Sequence, residues 1–159
     1  MNPKNTAVRR LQAQAGKSDL LQFWYTYTLN IGQQAIAGTF TNSLANNTSG
    51  TATTQIQADS TFLLQYLTGV LIPTDGSGIL AIATANAQIQ ITDTSSGATL
   101  FDVPLYVGNV LGTGQLPFVS PVARLFPANS ALQLTLQNNT GKTIVAQFAL
   151  LGQKLYEQG

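Results

Sequence analysis

The chain of 159 residues contains no cysteine and no histidine. Their absence removes disulfides, thiolate nucleophiles, the common zinc sites and every triad or dyad that relies on imidazole. Charge is also scarce. Only 8% of the residues are charged, against about 25% in a typical soluble domain, and the polar remainder is mostly Thr, Ser, Asn and Gln. A surface of this kind suits assembly, because few charges need desolvating at a contact. No apolar run approaches the length of a membrane span, and the first twenty residues lack the apolar core of a signal peptide. A soluble protein made in the cytoplasm, with no membrane partner and no cofactor, is the expectation.

The net charge of +1 conceals an asymmetry. Lys4, Arg9, Arg10 and Lys17 place four of the seven basic residues in the first 17 positions with no acid among them, while residues 18–159 sum to −3. Val8, Leu11 and Ala15 fall at helical spacing, with Thr6 as a cap and Gly16 as a stop, so a short helix that is marginal in isolation is expected. The chain therefore divides into a basic N-terminal arm, 1–17, and a single domain, 18–159. The arm reads either as a frayed terminus or as an extension that docks on a neighbouring subunit through its four basic residues. Without interleaved aromatics these do not make a nucleic-acid footprint, and direct nucleic-acid contact is not expected.

What the chain does have is strand patterning. Leu132, Leu134 and Leu136 alternate with Gln133, Thr135 and Gln137, and after an Asn/Gly turn at 138–142 the run 143–151 places Ile144, Ala146, Phe148 and Leu150 on one face. These two segments are expected to pair as an antiparallel hairpin at the centre of the fold. In 21–31, Phe23, Tyr25, Tyr27, Leu29 and Ile31 are assigned to the core, which puts Trp24 on the opposite face as a candidate interaction residue. A short edge strand is expected over 34–40, and 41–54, rich in Asn, Ser, Thr and Gly, is expected to be a surface loop. A bent strand over 55–67 buries both faces. Strands over 79–92 and 99–103 flank the turn 93–97, and 119–126 is a short strand interrupted by Pro121.

Motifs that carry chemistry are weak. Asp75 in a Gly/Ser turn is one carboxylate where calcium needs six to eight oxygens. Gly112-Thr113-Gly114 lacks the Lys-Ser/Thr and the helix of a phosphate loop. The five aspartates lie in or beside turns and nothing brings two together, so no acid–base pair is expected and the chain is read as non-enzymatic.

Eight to ten short strands at close intervals predict an all-β fold, specifically a jelly-roll-like antiparallel β-sandwich with a short N-terminal arm. Its strands carry almost no Lys or Glu to protect their edges, which points to a homo-oligomer. The pattern R-x-F-P-A-N-S-x-L-x-L-x-L-x-N-N-T-G at 124–141, followed by F-x-L-x-G-x-K-L-Y at 148–156, resembles small virion structural proteins of tailed bacteriophages, with a looser likeness over 24–69. That resemblance implies a capsid decoration or cement protein that binds and stabilises the head shell, with the major capsid protein or other virion proteins as partners and the virion as its location. A neck, collar or tail component is the alternative it leaves open. A glycan-binding adsorption module built on Trp24, Tyr66 and Tyr106 is the reading from another class.

Overall fold

Alternating apolar positions in the long strands leave one face of each sheet to bury, and the chain buries both by stacking two antiparallel sheets. The structure, a computed structural model, describes residues 20–34 and 39–157. Within them the strands are β1 (Leu20–Ile31), β2 (Gln33–Gln34), β3 (Phe40–Thr41), β4 (Thr48–Gln55), β5 (Thr61–Pro73), β6 (Ala87–Asp93), β7 (Ala98–Thr99), β8 (Leu105–Tyr106), β9 (Phe118–Phe126), β10 (Ala131–Asn138) and β11 (Ile144–Glu157). A 3-10 turn at Ile82–Thr84 and one helical turn, α1 (Val107–Val110), interrupt them.

One sheet has the order β1-β11-β5-β9 and the other β4-β10-β6-β7, with β8 also on β6 and β2–β3 as a separate small ribbon. Setting aside β2, β3 and β8, the remaining eight strands numbered along the chain run 1-8-3-6 in one sheet and 2-7-4-5 in the other. That order is a jelly roll, two Greek keys folded into a sandwich. The architecture is all-β, as the strand spacing indicated.

The core lies between the sheets. Tyr27, Leu29 and Ile31 of β1, Phe62, Leu64, Leu67 and Leu71 of β5, and Phe148 and Leu150 of β11 meet Ala87, Ile89 and Ile91 of β6 and Leu132, Leu134 and Leu136 of β10. Each fully buried side chain of this size contributes about 1.5–3 kcal/mol. On β5 both faces are largely buried, in keeping with the consecutive apolar residues Phe62, Leu63 and Leu64.

The expected central hairpin does not form. β10 pairs with β4 and β6, whereas β11 pairs with β1 and β5, so the turn between them is a corner that carries the chain from one sheet to the other. Gly141, at φ +81°, supplies the left-handed residue of that corner. Asn138 decides its path. Its side chain is 0% exposed, and Nδ2 donates to the carbonyls of Leu44, Ala45 and Lys142 at 3.1, 3.1 and 2.8 Å. Oδ1 accepts from the Thr140 amide and hydroxyl. A tight hairpin has no room for a side chain that holds three carbonyls from two segments.

Other expectations change more locally. The supposed loop over 41–54 contains β4, whose inward residues Gly50, Ala52 and Thr54 are small. A Cβ on Gly50 would stand 3.0 Å from a Leu44 methyl and 3.1 Å from a methyl of Ile31, so this strand lies too close to its neighbours for an apolar stripe to be its signature. The strand expected over 34–40 is instead the β2–β3 ribbon, with 35–38 outside the described residues. Strand β5 starts only at Thr61, after a connection in which Ile56 is buried, and β6 starts at Ala87 rather than near 79. Phe23 continues the core parity of β1 but is 54% exposed, because it lies at the open end of the sandwich against the edge of Tyr156.

Candidate interaction surface

Carboxylates were the only candidate catalytic groups, and Asp93 and Asp75 serve turns. Asp93, at the end of β6, accepts from the Ser95 amide at 2.9 Å and the Ser96 hydroxyl at 2.7 Å. Burial works to raise its pKa, and the hydrogen bonds from Ser96 and Ser95 outweigh it, leaving the carboxyl below its ordinary range. Asp75 is held well below the carboxylate range by the Ser77 hydroxyl first, then by Lys142 and the Ser77 amide. Its 2.9 Å ion pair with Lys142 ties the loop after β5 to the corner before β11. Among the described residues no three His, Cys, Asp or Glu side chains come together.

The arrangement that does stand out is the outer face of the β1-β11-β5-β9 sheet. Register places Trp24, Gln153, Leu63 and Leu125 in one row across it, and Thr26, Leu151, Tyr66 and Val119 in the next. Trp24 is 63% exposed and stacks on Tyr66 across β11, with ring centroids 5.9 Å apart and planes 29° apart. Val119 and Leu125 are also exposed, while Leu63 between them is buried. No charged residue occupies an outward position on β1 from Phe23 onward, on β5, or on β11 through Tyr156, and β9 carries the exposed Arg124. The pairing of β5 slips between Leu64 and Tyr66, and that of β11 between Leu151 and Gly152. This bulge turns Tyr66 outward next to Trp24.

The outer face of the other sheet is different in kind. Ser49, Thr51 and Thr53 of β4, Gln133, Thr135 and Gln137 of β10, and Gln88, Gln90 and Thr92 of β6 form an uncharged field of hydroxyls and amides. Ser49 donates to Gln137 within it. Tyr106 pairs with Gln88 at its margin, half exposed beside an open cleft of about 480 Å³ lined by Thr84, Asn86 and Asn109. Trp24 and Tyr66 thus come together, but Tyr106 lies on the opposite outer face. The three rings do not form one platform.

A feature the sequence reading passed over is Lys154. It is 2% exposed, its ammonium lies 3.9 Å from the centre of the Tyr25 ring and 5.9 Å from that of Tyr27, and it donates to the Gln57 side-chain oxygen. Gln57 in turn donates from its backbone to Tyr27 Oη and from Nε2 to Tyr25 Oη. Among the described residues no carboxylate lies within ion-pair distance of the ammonium, so two tyrosine faces and one amide hold the charge. The signal was available: residue 154 falls on the same alternation as Phe148 and Leu150.

Of the candidate residues, Trp24 lies where its parity placed it. Lys4, Arg9, Arg10 and Lys17, and with them the arm 1–17, fall outside the described residues. No helix among the described residues is long and apolar enough to cross a membrane.

No protein-family model and no curated protein matches the chain. Among solved structures it is similar to the dimeric latent PorU from Porphyromonas gingivalis, with a TM-score of 0.38 and 12% identity over 84% of this chain and 13% of that one. A likeness at this level carries no functional argument.

Proposed function

We propose that the chain is a non-enzymatic structural protein of a phage particle, a jelly-roll unit that decorates and stabilises the head shell. The observation that carries this reading is the outer face of the β1-β11-β5-β9 sheet: Trp24 stacked on Tyr66, with Val119 and Leu125 exposed beside them. Exposed aromatics and aliphatics on a sheet face this poor in charge are what a protein contact requires, since little polar surface has to be stripped of water. The major capsid protein is the partner in this reading. The fold alone does not choose it, because jelly rolls also serve as lectin and cupin domains.

The test is retention of the purified protein on shells that lack it, followed by sedimentation. Trp24→Ala combined with Leu125→Ala is expected to lower retention roughly tenfold or more, as loss of a central aromatic anchor does. The thermal unfolding temperature should hold, because both side chains lie on the outer face. Retention unchanged by the double substitution would mean that this face is not the contact.

A further inference from the structure

The two sides of the sandwich, where its sheets end, are unequally protected. On one side β9 carries Pro121 and Arg124 and pairs with β5 through a break in register, while β7 and β8 are only two residues long. Proline, charge, an irregular register and short strands all prevent an edge from accepting another strand. On the other side lie β1 and β4, which pack against each other. Strand β4 reads TSGTATTQ, with no charge and no proline, and pairs with β10 without a register shift over all eight residues. Among the described residues no strand pairs with its other edge. Strand β1 is likewise free of charge and proline over its 12 residues.

We propose that β4 is a self-association edge: two copies pair β4 antiparallel to β4 about a two-fold axis, joining their five-stranded sheets into one. The inference rests on the assembly reading above and gives it a geometry. A second copy fits this edge for three reasons. The unpaired backbone groups of β4 are satisfied by any extended strand, and a two-fold supplies the antiparallel pairing used throughout this fold. The edge offers no charge for a differently charged partner to recognise, and an identical uncharged strand meets no like-charge penalty. The size is also sufficient. An edge about 27 Å long and roughly 20 Å deep across two layers covers on the order of 550 Å² per copy, so a pair buries about 1,100 Å², just above the ~1,000 Å² expected of a specific contact.

Sedimentation equilibrium of the full chain tests this. Wild type is expected to show a reversible monomer–dimer equilibrium. Thr51→Lys with Thr53→Lys places like charges on both sides of the two-fold and is expected to weaken the dimer by about 30-fold or more. The corresponding Thr→Glu pair behaves the same alone, and mixing the Lys and Glu variants restores association. Unchanged urea midpoints establish that the variants fold. A wild type that stays monomeric at millimolar concentration, or a Lys variant that dimerises as wild type does, overturns the proposal. A monomer that still binds shells fails the edge and leaves the assembly reading standing, whereas a dimer that binds no shell does the reverse.

Discussion

Replacing Asn138 by aspartate changes the side chain by a single group and reverses the electrostatics of the corner between the sheets. The amide nitrogen of this fully buried side chain donates to three carbonyl oxygens, those of Leu44, Ala45 and Lys142. Asn138→Asp turns that donor into an anionic acceptor facing the same three oxygens. Each of these carbonyls keeps a second donor, the Ile144 amide for Leu44, the Thr48 hydroxyl for Ala45 and the Thr140 hydroxyl for Lys142, so the cost lies in the uncompensated buried charge facing them, which is several kcal/mol. Relaxation of the corner recovers part of this, so the expected loss at pH 8 is about 4 kcal/mol. The loss depends on pH in a defined direction. The new carboxyl is driven toward its neutral form in the fold, so its folded pKa lies above the unfolded value of about 4, and stability falls as pH rises from the unfolded pKa through the folded one. Urea unfolding of both proteins at pH 5 and pH 8 measures this. The deficit should be smaller at pH 5, where a protonated carboxyl can donate once. A variant within about 1 kcal/mol of wild type at pH 8 would refute the role assigned to Asn138.

Three further outcomes are expected. Lys154→Met keeps the buried stem and removes the ammonium; because desolvation opposes the gain from the Tyr25 ring, stability should stay within about 1 kcal/mol, whereas Lys154→Ala leaves a cavity and should cost about 2–4 kcal/mol in chemical denaturation. Gly152→Ala sets a methyl 2.0 Å from the Leu63 carbonyl oxygen, a clash with backbone at the bulge, and should cost more than about 3 kcal/mol or abolish soluble expression. Asp93 has a depressed pKa, so it contributes stability above the unfolded value near 4 that is lost as pH falls toward its folded value. Asp93→Asn should therefore flatten the acid limb of a stability–pH profile, and an unchanged limb would contradict the assignment.

The alternation of Leu132, Leu134 and Leu136, and of Ala87, Ile89 and Ile91, was enough to read a sandwich, because a pleat with one apolar face has to bury it. Strand partners were not legible in the same way. An Asn/Gly turn serves a hairpin and an inter-sheet corner alike, and what separates them is a contact from Asn138 to carbonyls 93 and 94 residues away. Strand β4 was hidden because its inner face is Gly, Ala and Thr, sized by close packing against Ile31 and Leu44 rather than by hydrophobicity. On the candidate surface, Trp24 followed from parity. Its partner Tyr66 did not, since a bulge shifts the parity of β5 just before it. Asn138 extends an apolar alternation by one inward step and Lys154 extends one by two, past Gly152, so a polar residue in such a position marks a buried side chain with partners inside the fold.

Under the proposal made above, the chain coats a phage head through the outer face of its β1-β11-β5-β9 sheet. The most direct test is the number of copies in phage particles purified from a host that produces the chain, measured by quantitative mass spectrometry against the major capsid protein. A decoration role predicts a copy number that scales with the shell, in fixed ratio to the capsid protein. A dozen copies or fewer would contradict shell decoration and assign the chain to the neck or tail, and its absence from the particle would contradict the structural role altogether.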